Sequence, residues 1–295
     1  MGKVAARPSA SPVVLVVAAI LAVQVGSSVA KDLYSAATPL TVTWLRALAA
    51  AVLLGVVARP QLRGRSASDW RWVVLYGLVL SAMNLSFYLA IARIPIGMAV
   101  TLEFLGPLGV SVATSRRARD LVWVGLAGVG VALLGFAPGA LDPVGVALAL
   151  LAAAFWAAYI LLARPVGRAW SGVTGVSVAF WVGLTAMTIP VAALGAWPAA
   201  APGVWAPAIW GQGLLVGLLA SAIPYGLEMA ALRRIEPRVF GILMSLEPAA
   251  AALAALALLG EQLRGVEIAA MACVMVASIG VVRSARPGVQ DGRPA

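Results

Sequence analysis

Long apolar runs alternate along the chain with short clusters of Arg, Pro, Gly and Asp. A helix needs about 20 apolar residues to cross a bilayer. Read against that length, the pattern predicts ten spans, at 12–30, 39–58, 70–92, 95–115, 119–138, 143–163, 174–197, 205–230, 237–258 and 264–283. In hydrocarbon every backbone polar group has to be satisfied internally, which makes helices the expected element for such runs. The fold expected is therefore all-α and integral to a membrane. The connections are short and leave no room for an inserted soluble domain, and the tails 1–11 and 284–295 are polar. The first span has some marks of a secretory signal: Lys3 and Arg7, an apolar stretch from Val13, and the small-residue run Ser28-Val29-Ala30. Its apolar stretch is long for a signal, and the pairing of halves described below needs it as a membrane helix.

Composition agrees. Hydrophobic residues make up 62% of the chain and charged residues 11%, where a soluble domain carries roughly 25% charged. The net charge of +10 does not point to nucleic acid, because the basic residues lie between apolar runs and form no basic face. They carry topology instead. With the N-terminus cytoplasmic, 17 of the 21 Lys and Arg fall on the cytoplasmic side, including Arg59, Arg63, Arg65, Arg71, Arg116, Arg117, Arg119, Arg164, Arg168, Arg233, Arg234 and Arg238. Lys31, Arg93 and Arg264 fall outside, and Arg46 lies within a span. One span more or fewer would scramble this positive-inside bias. Ten spans with both termini cytoplasmic is the arrangement that fits.

Histidine is absent and Cys273 is the one cysteine. A disulfide framework is excluded. Zinc, haem and iron–sulfur centres lack their usual ligands, and so do nucleophilic triads. No cofactor and no enzymatic activity are expected. A membrane-embedded transferase would need acidic clusters or larger loops, and neither is present.

Two segments resemble each other. Ser81-Ala82, Ala90, Arg93-Ile94-Pro95 and Leu102-Glu103 with Pro107 recur in order as Ser221-Ala222, Ala230, Arg234-Ile235-Glu236-Pro237 and Leu246-Glu247-Pro248. A weaker pair is Ala30-Lys31 with Ala163-Arg164. This predicts two five-span units, 12–138 and 143–283. Five is odd, so the second unit enters the membrane from the opposite side. Such inverted repeats are common in secondary transporters, which bind substrate near the midplane between the halves.

Ionisable groups inside spans are costly and mark candidate sites. Arg46 and Glu103 lie at similar depth, and Glu247 lies near the middle of its span. Arg46 and Glu103 can form a buried ion pair, or Arg46 can hold a substrate carboxylate through its planar fork of donors. Glu103 and Glu247 are candidates to carry a coupling proton. Glu228 and Glu267 lie near span ends and are read as structural, reaching the interface by snorkelling. Gln24, Ser27, Ser28, Asn84, Tyr88, Trp156 and Tyr159 lie at the same levels, with Asn84 and Tyr88, and likewise Trp156 and Tyr159, sharing a helix face. Gln24, Arg46, Asn84, Tyr88, Glu103, Trp156, Tyr159 and Glu247 are the candidate substrate-binding residues. Pro107, Pro190, Pro224 and Pro248 interrupt spans, and the carbonyls they free need partners or a wet cavity. The Gly125 to Gly128 and Gly175 to Gly183 segments are weak signals for close helix packing.

Several runs together resemble a known family. They are Gln24-Val25-Gly26-Ser27-Ser28-Val29-Ala30-Lys31, Leu45-Arg46, Met83-Asn84, Phe87-Tyr88-Leu89, Ile94-Pro95-Ile96-Gly97, Leu102-Glu103-Phe104, Gly106-Pro107 and Ser115-Arg116-Arg117. The second half adds Trp156 to Leu161, Pro224-Tyr225-Gly226-Leu227-Glu228-Met229, Phe240-Gly241, Leu243 to Pro248 and Leu259-Gly260-Glu261. Over residues 12–283 the chain resembles the drug/metabolite transporter superfamily, in the branch with two EamA-type units. The likeness is to that branch's amino-acid exporters. It implies a bacterial inner-membrane carrier that exports small amino acids of the threonine or homoserine kind, driven by protons. Efflux of another metabolite or a hydrophobic drug is the alternative within the fold. The partners implied are an amino-acid substrate, protons and lipid, and no oligomeric state is implied.

Overall fold

The structure is a computed structural model that describes residues 11–114, 120–135, 141–170, 173–193, 206–232 and 234–284. Residues 1–10 and 285–295 of the tails, and Arg116, Arg117, Arg119 and Arg233 of the charge pattern, lie outside the described residues. All regular structure among those described is helical: α1 (Pro12–Asp32, continued by a 3-10 turn over Leu33–Ser35), α2 (Pro39–Ala58), α3 (Ala67–Ile91), α4 (Ile96–Glu103), α5 (Leu105–Ala113), α6 (Leu121–Gly135), α7 (Pro143–Ala169), α8 (Thr174–Ala193), α9 (Pro207–Gly217), α10 (Ile223–Leu232), α11 (Pro237–Met244), α12 (Glu247–Leu259) and α13 (Gly265–Ser284).

Among the described residues nine stretches are long and apolar enough to cross a membrane. Three of these are broken: α4 with α5, α9 with α10, and α11 with α12. The remaining predicted span, 119–138, is represented by α6, 15 residues long, with its flanks 115–119 and 136–140 outside the described residues. Boundaries follow local chemistry. Pro39 and Pro143 start α2 and α7 at the first helical position, where a missing N–H leaves no bond unmade. Ser66 and Asp69 form a capping box that starts α3 ahead of the predicted residue 70. Gly260, at φ 68°, ends α12 in a left-handed conformation. α7 runs six residues past the predicted end at 163, because Arg164 and Arg168 continue the helix beyond the apolar stretch.

Helix α3 packs along α7 and α8, α2 along α8 and α9, α1 along α10 and α12, and α6 along α13. The interior is lined by small and aliphatic side chains, with Val16, Ala19, Leu80, Met98, Ala149 and Ala277 buried. Burial of α1 inside the bundle agrees with its reading as a membrane helix. The outer surface is apolar: Val57 is 74% exposed and Ile189 is 73% exposed, as side chains facing lipid would be. Gly125 and Gly128 face open space among the described residues and make no close helix contact, so that packing signal fails. Gly175 and Gly183 are at tight contacts, against Val166 and Ser81.

Charged side chains tie one end of the bundle together. The Lys31 ammonium lies 2.5 Å from Glu261 Oε1 and donates to the Ile94 carbonyl at 2.9 Å. The Ile96 N–H donates to Glu261 Oε2 at 2.9 Å. These bonds join the end of α1, the α3–α4 turn and the loop after α12. Ile91, Ile94 and Ile96 are buried beside them. Arg93 pairs with Asp142 at 3.0 Å nearby. The hydrogen bond from Arg93, then that from the Val144 amide at the start of α7, holds the Asp142 carboxyl below its usual range.

Candidate functional site

The site is built around a proline. Pro224 has no N–H to return to the carbonyl four residues earlier, which belongs to Ala220. The chain passes this point in a π-helical turn, Leu218–Ala222, between α9 and α10, a distortion often found at functional sites. Two glycines let neighbouring backbones reach that turn. A Cβ on Gly26 would lie 2.9 Å from the Ala220 nitrogen, and one on Gly217 would lie 2.3 Å from Ala49 Cβ and 2.9 Å from the Arg46 carbonyl. Helices α1 and α2 therefore meet the turn almost backbone to backbone.

Arg46 fills the junction and is 8% exposed. Its Nη2 donates to the freed Ala220 carbonyl at 2.8 Å. Its Nε donates to Ser221 Oγ at 3.0 Å, and Nη1 donates to Asn84 Oδ1. Asn84 is itself held, with Nδ2 donating to the Leu80 carbonyl at 2.8 Å. The guanidinium carbon sits 5.2 Å from the centre of the Tyr88 ring, within cation–π range.

Two glutamates lie at helix breaks. Glu103 is the last residue of α4 and Glu247 the first of α12. Pro107 withholds a hydrogen bond from the Glu103 carbonyl and Pro248 withholds one from Met244. Arg46, Glu103, Glu247 and a third carboxylate, Glu228, line one cavity of about 170 Å³. All eight candidate residues lie on its wall: Gln24, Arg46, Asn84, Tyr88, Glu103, Trp156, Tyr159 and Glu247. Trp156 meets Phe104 edge to face at 5.2 Å, and Tyr159 stacks on Tyr76 at 4.6 Å. Among the described residues no three of His, Cys, Asp and Glu gather closely enough to hold a metal ion.

Two expectations change. The Arg46–Glu103 ion pair does not form: among the described residues the ion pairs are Lys31–Glu261, Arg93–Asp142 and Arg264–Glu267. The prolyl break offers Arg46 a carbonyl, and Ser221 and Asn84 complete its bonding. Glu228, read as an interfacial residue, lines the cavity. It follows Pro224 by four residues and so shares its helix face, a spacing that could have identified it. Tyr225 and Met244 also join the wall from the second half. Glu267 stays outside, capping its own helix by accepting from the Arg264 N–H at 2.7 Å and pairing with the Arg264 side chain at 2.8 Å.

Comparison with known proteins follows the same direction. Residues 143–283 match the model of the EamA-like transporter family. The threonine/homoserine exporter RhtA of Salmonella typhimurium strain LT2 is 40% identical over 273 residues, covering 91% of this chain and 90% of that protein. Its namesake from Escherichia coli K12 is 38% identical over 289 residues, covering 97% of this chain and 96% of its own. A protein crystal structure that is 17% identical superposes with a TM-score of 0.61, covering 92% of this chain and 96% of its own; that likeness concerns the fold alone.

Proposed function

The chain belongs to the EamA-like transporter family, and on that premise we propose that it exports small amino acids of the threonine or homoserine kind across a bacterial inner membrane in exchange for protons. The observation that carries the proposal is the cavity, which sets one arginine and three carboxylates among apolar helices. Ionisable groups are retained at such positions chiefly for function.

Arg46 has five N–H donors, and three are engaged by Ser221, Asn84 and Ala220. The remaining two are left to meet a substrate carboxylate. Glu103, Glu228 and Glu247 are the partners for the ammonium. Each carboxylate holds either a proton or a substrate ammonium, and that mutual exclusion is a direct route to antiport, with Glu103 and Glu247 as proton carriers. The size of the cavity favours a small metabolite. Pockets for drug-sized ligands measure roughly 300–1,000 Å³, against about 170 Å³ here.

Helix packing supports the reading of 12–138 and 143–283 as inverted units. Under exchange of the halves, α3 on α7 corresponds to α10 on α1, α2 on α9 corresponds to α8 on α3, and α12 on α1 corresponds to α4 and α5 on α7. The contacts of α2 with α8, α4 with α12 and α6 with α13 map onto themselves. With both termini cytoplasmic, as the charge pattern favours, the Lys31–Glu261 tie closes the outer end. The cavity then faces inward, ready to load.

Overexpression in a homoserine-sensitive bacterium tests the proposal. Growth at otherwise toxic homoserine is expected. No gain in tolerance from protein that reaches the membrane refutes it.

A further inference from the structure

We infer that Gln24 and Tyr88 are specificity-determining residues that read the side-chain hydroxyl of the transported amino acid. The inference rests on the amino-acid reading of the cavity and assigns two of its wall residues a task of their own.

Among the described residues three buried side-chain polar atoms make no hydrogen bond: Gln24 Oε1, Tyr88 Oη and Ser177 Oγ. The first two belong to the cavity wall and the third does not. Buried polar groups are almost always paired, which sets these atoms apart. Gln24 is 1% exposed and Tyr88 0% exposed, so both are enclosed beside the cavity; neither oxygen makes a well-formed hydrogen bond to the protein, and the Tyr88 hydroxyl lies close to the Arg46 guanidinium.

The chemistry of the two groups is distinctive. Arg46 can only donate, and an ionised glutamate can only accept. An amide and a phenol do both. A substrate carboxylate brings acceptors and its ammonium brings donors, whereas a hydroxyl brings one donor together with acceptor lone pairs. The hydroxyl is therefore the substrate group that matches this pair. Placement agrees. The Tyr88 ring lies 5.2 Å from the Arg46 guanidinium carbon. Gln24 lines the same cavity as Arg46. Both residues therefore share a wall with the arginine assigned to the carboxylate, within the small space that a β- or γ-hydroxyl of the same molecule would occupy.

Valine has the shape of threonine with a methyl group in place of the hydroxyl, which makes the test direct. Purified protein in liposomes is assayed for counterflow of labelled threonine and labelled valine, with homoserine as competitor. A site that bonds a hydroxyl leaves its own groups unpaired around an analogue lacking it. Wild type is expected to prefer threonine by about tenfold or more. Gln24→Met keeps length without hydrogen bonding, and Tyr88→Phe removes a single oxygen. Each should lower the preference severalfold and the double variant should bring it near parity, through a larger fall in threonine than in valine counterflow and with the detergent melting temperature unchanged. Equal loss of threonine and valine counterflow overturns the inference, as does an unchanged preference or a wild type that treats the two alike. Arg46→Lys separates the two readings, since it should lower both substrates together and leave their ratio intact. A wild type that carries neither amino acid and confers no homoserine tolerance refutes the exporter reading, and this inference with it.

Discussion

Replacing Glu261 by Gln keeps the shape of the tie across the closed end and removes its charge. Glu261 Oε1 lies 2.5 Å from the Lys31 ammonium, and Oε2 accepts from the Ile96 N–H at 2.9 Å. The amide oxygen can keep the second bond, so the loss is confined to the first. A hydrogen bond to a charged group contributes about 1.5–3 kcal/mol. The two side chains are 22% and 17% exposed, and allowing for screening leaves about 1.5–2 kcal/mol. In any state open at this end Lys31 is hydrated, so the deficit falls on the closed state alone. At about 1.4 kcal/mol per tenfold, the open population should rise roughly ten- to thirtyfold. The assay is labelling of Val100→Cys by a membrane-impermeant maleimide added outside intact cells, with Cys273 replaced by Ala. Val100 lines the cavity one turn beyond Ile96. The labelling rate should rise in proportion to the open population. Lys31→Met should raise it by a similar factor, and the double variant should add little, as expected of two residues sharing one interaction. A rate within about twofold of wild type for Glu261→Gln would mean that the tie does not hold this end shut.

Three further outcomes are expected. Arg46→Lys keeps the charge but replaces a planar fork with a single ammonium, which cannot serve Asn84, Ser221 and Ala220 together; stability should fall by about 1–3 kcal/mol with efflux reduced, and wild-type melting and efflux would contradict this. Glu103→Gln and Glu247→Gln should differ, one abolishing proton-driven efflux while exchange of labelled for unlabelled substrate persists; two fully active variants would remove the proton carriers from the scheme. Gly217→Val inserts bulk where a Cβ alone would meet Ala49 Cβ at 2.3 Å and should lower stability by about 1–3 kcal/mol, whereas Gly226→Ala, where an added Cβ would meet no atom within 4 Å, should leave thermal melting and export unchanged.

The spans were legible because apolar length and charged punctuation are local properties, and the start of α2 at Pro39 was readable from its proline. The wall of the cavity was also legible, because polar residues stand out in an apolar chain: Gln24, Asn84 and Glu103 need no partner in view to look expensive. Bonding between them was not. Similar depth suggested pairing Arg46 with Glu103, but the arginine bonds Ser221, 175 residues away in sequence, through a helix distortion that periodicity does not encode. The tie at the closed end escaped for the same reason. Lys31 and Glu261 each look like ordinary loop charges until the fold joins them.

The bonding of Arg46 also bears on how the chain is made. A ribosome delivers residues in order, so Arg46 reaches the membrane long before Ala220 and Ser221 exist. During that interval Asn84 is the one member of its bonding set available within the first unit. The early units of synthesis therefore carry a charged side chain with two of its three acceptors still unmade, and the ninth and tenth helices complete the structure of the second. An isolated first half, even correctly inserted, should be a substrate for membrane quality control, and a gene split between the halves should work only when both pieces are produced together.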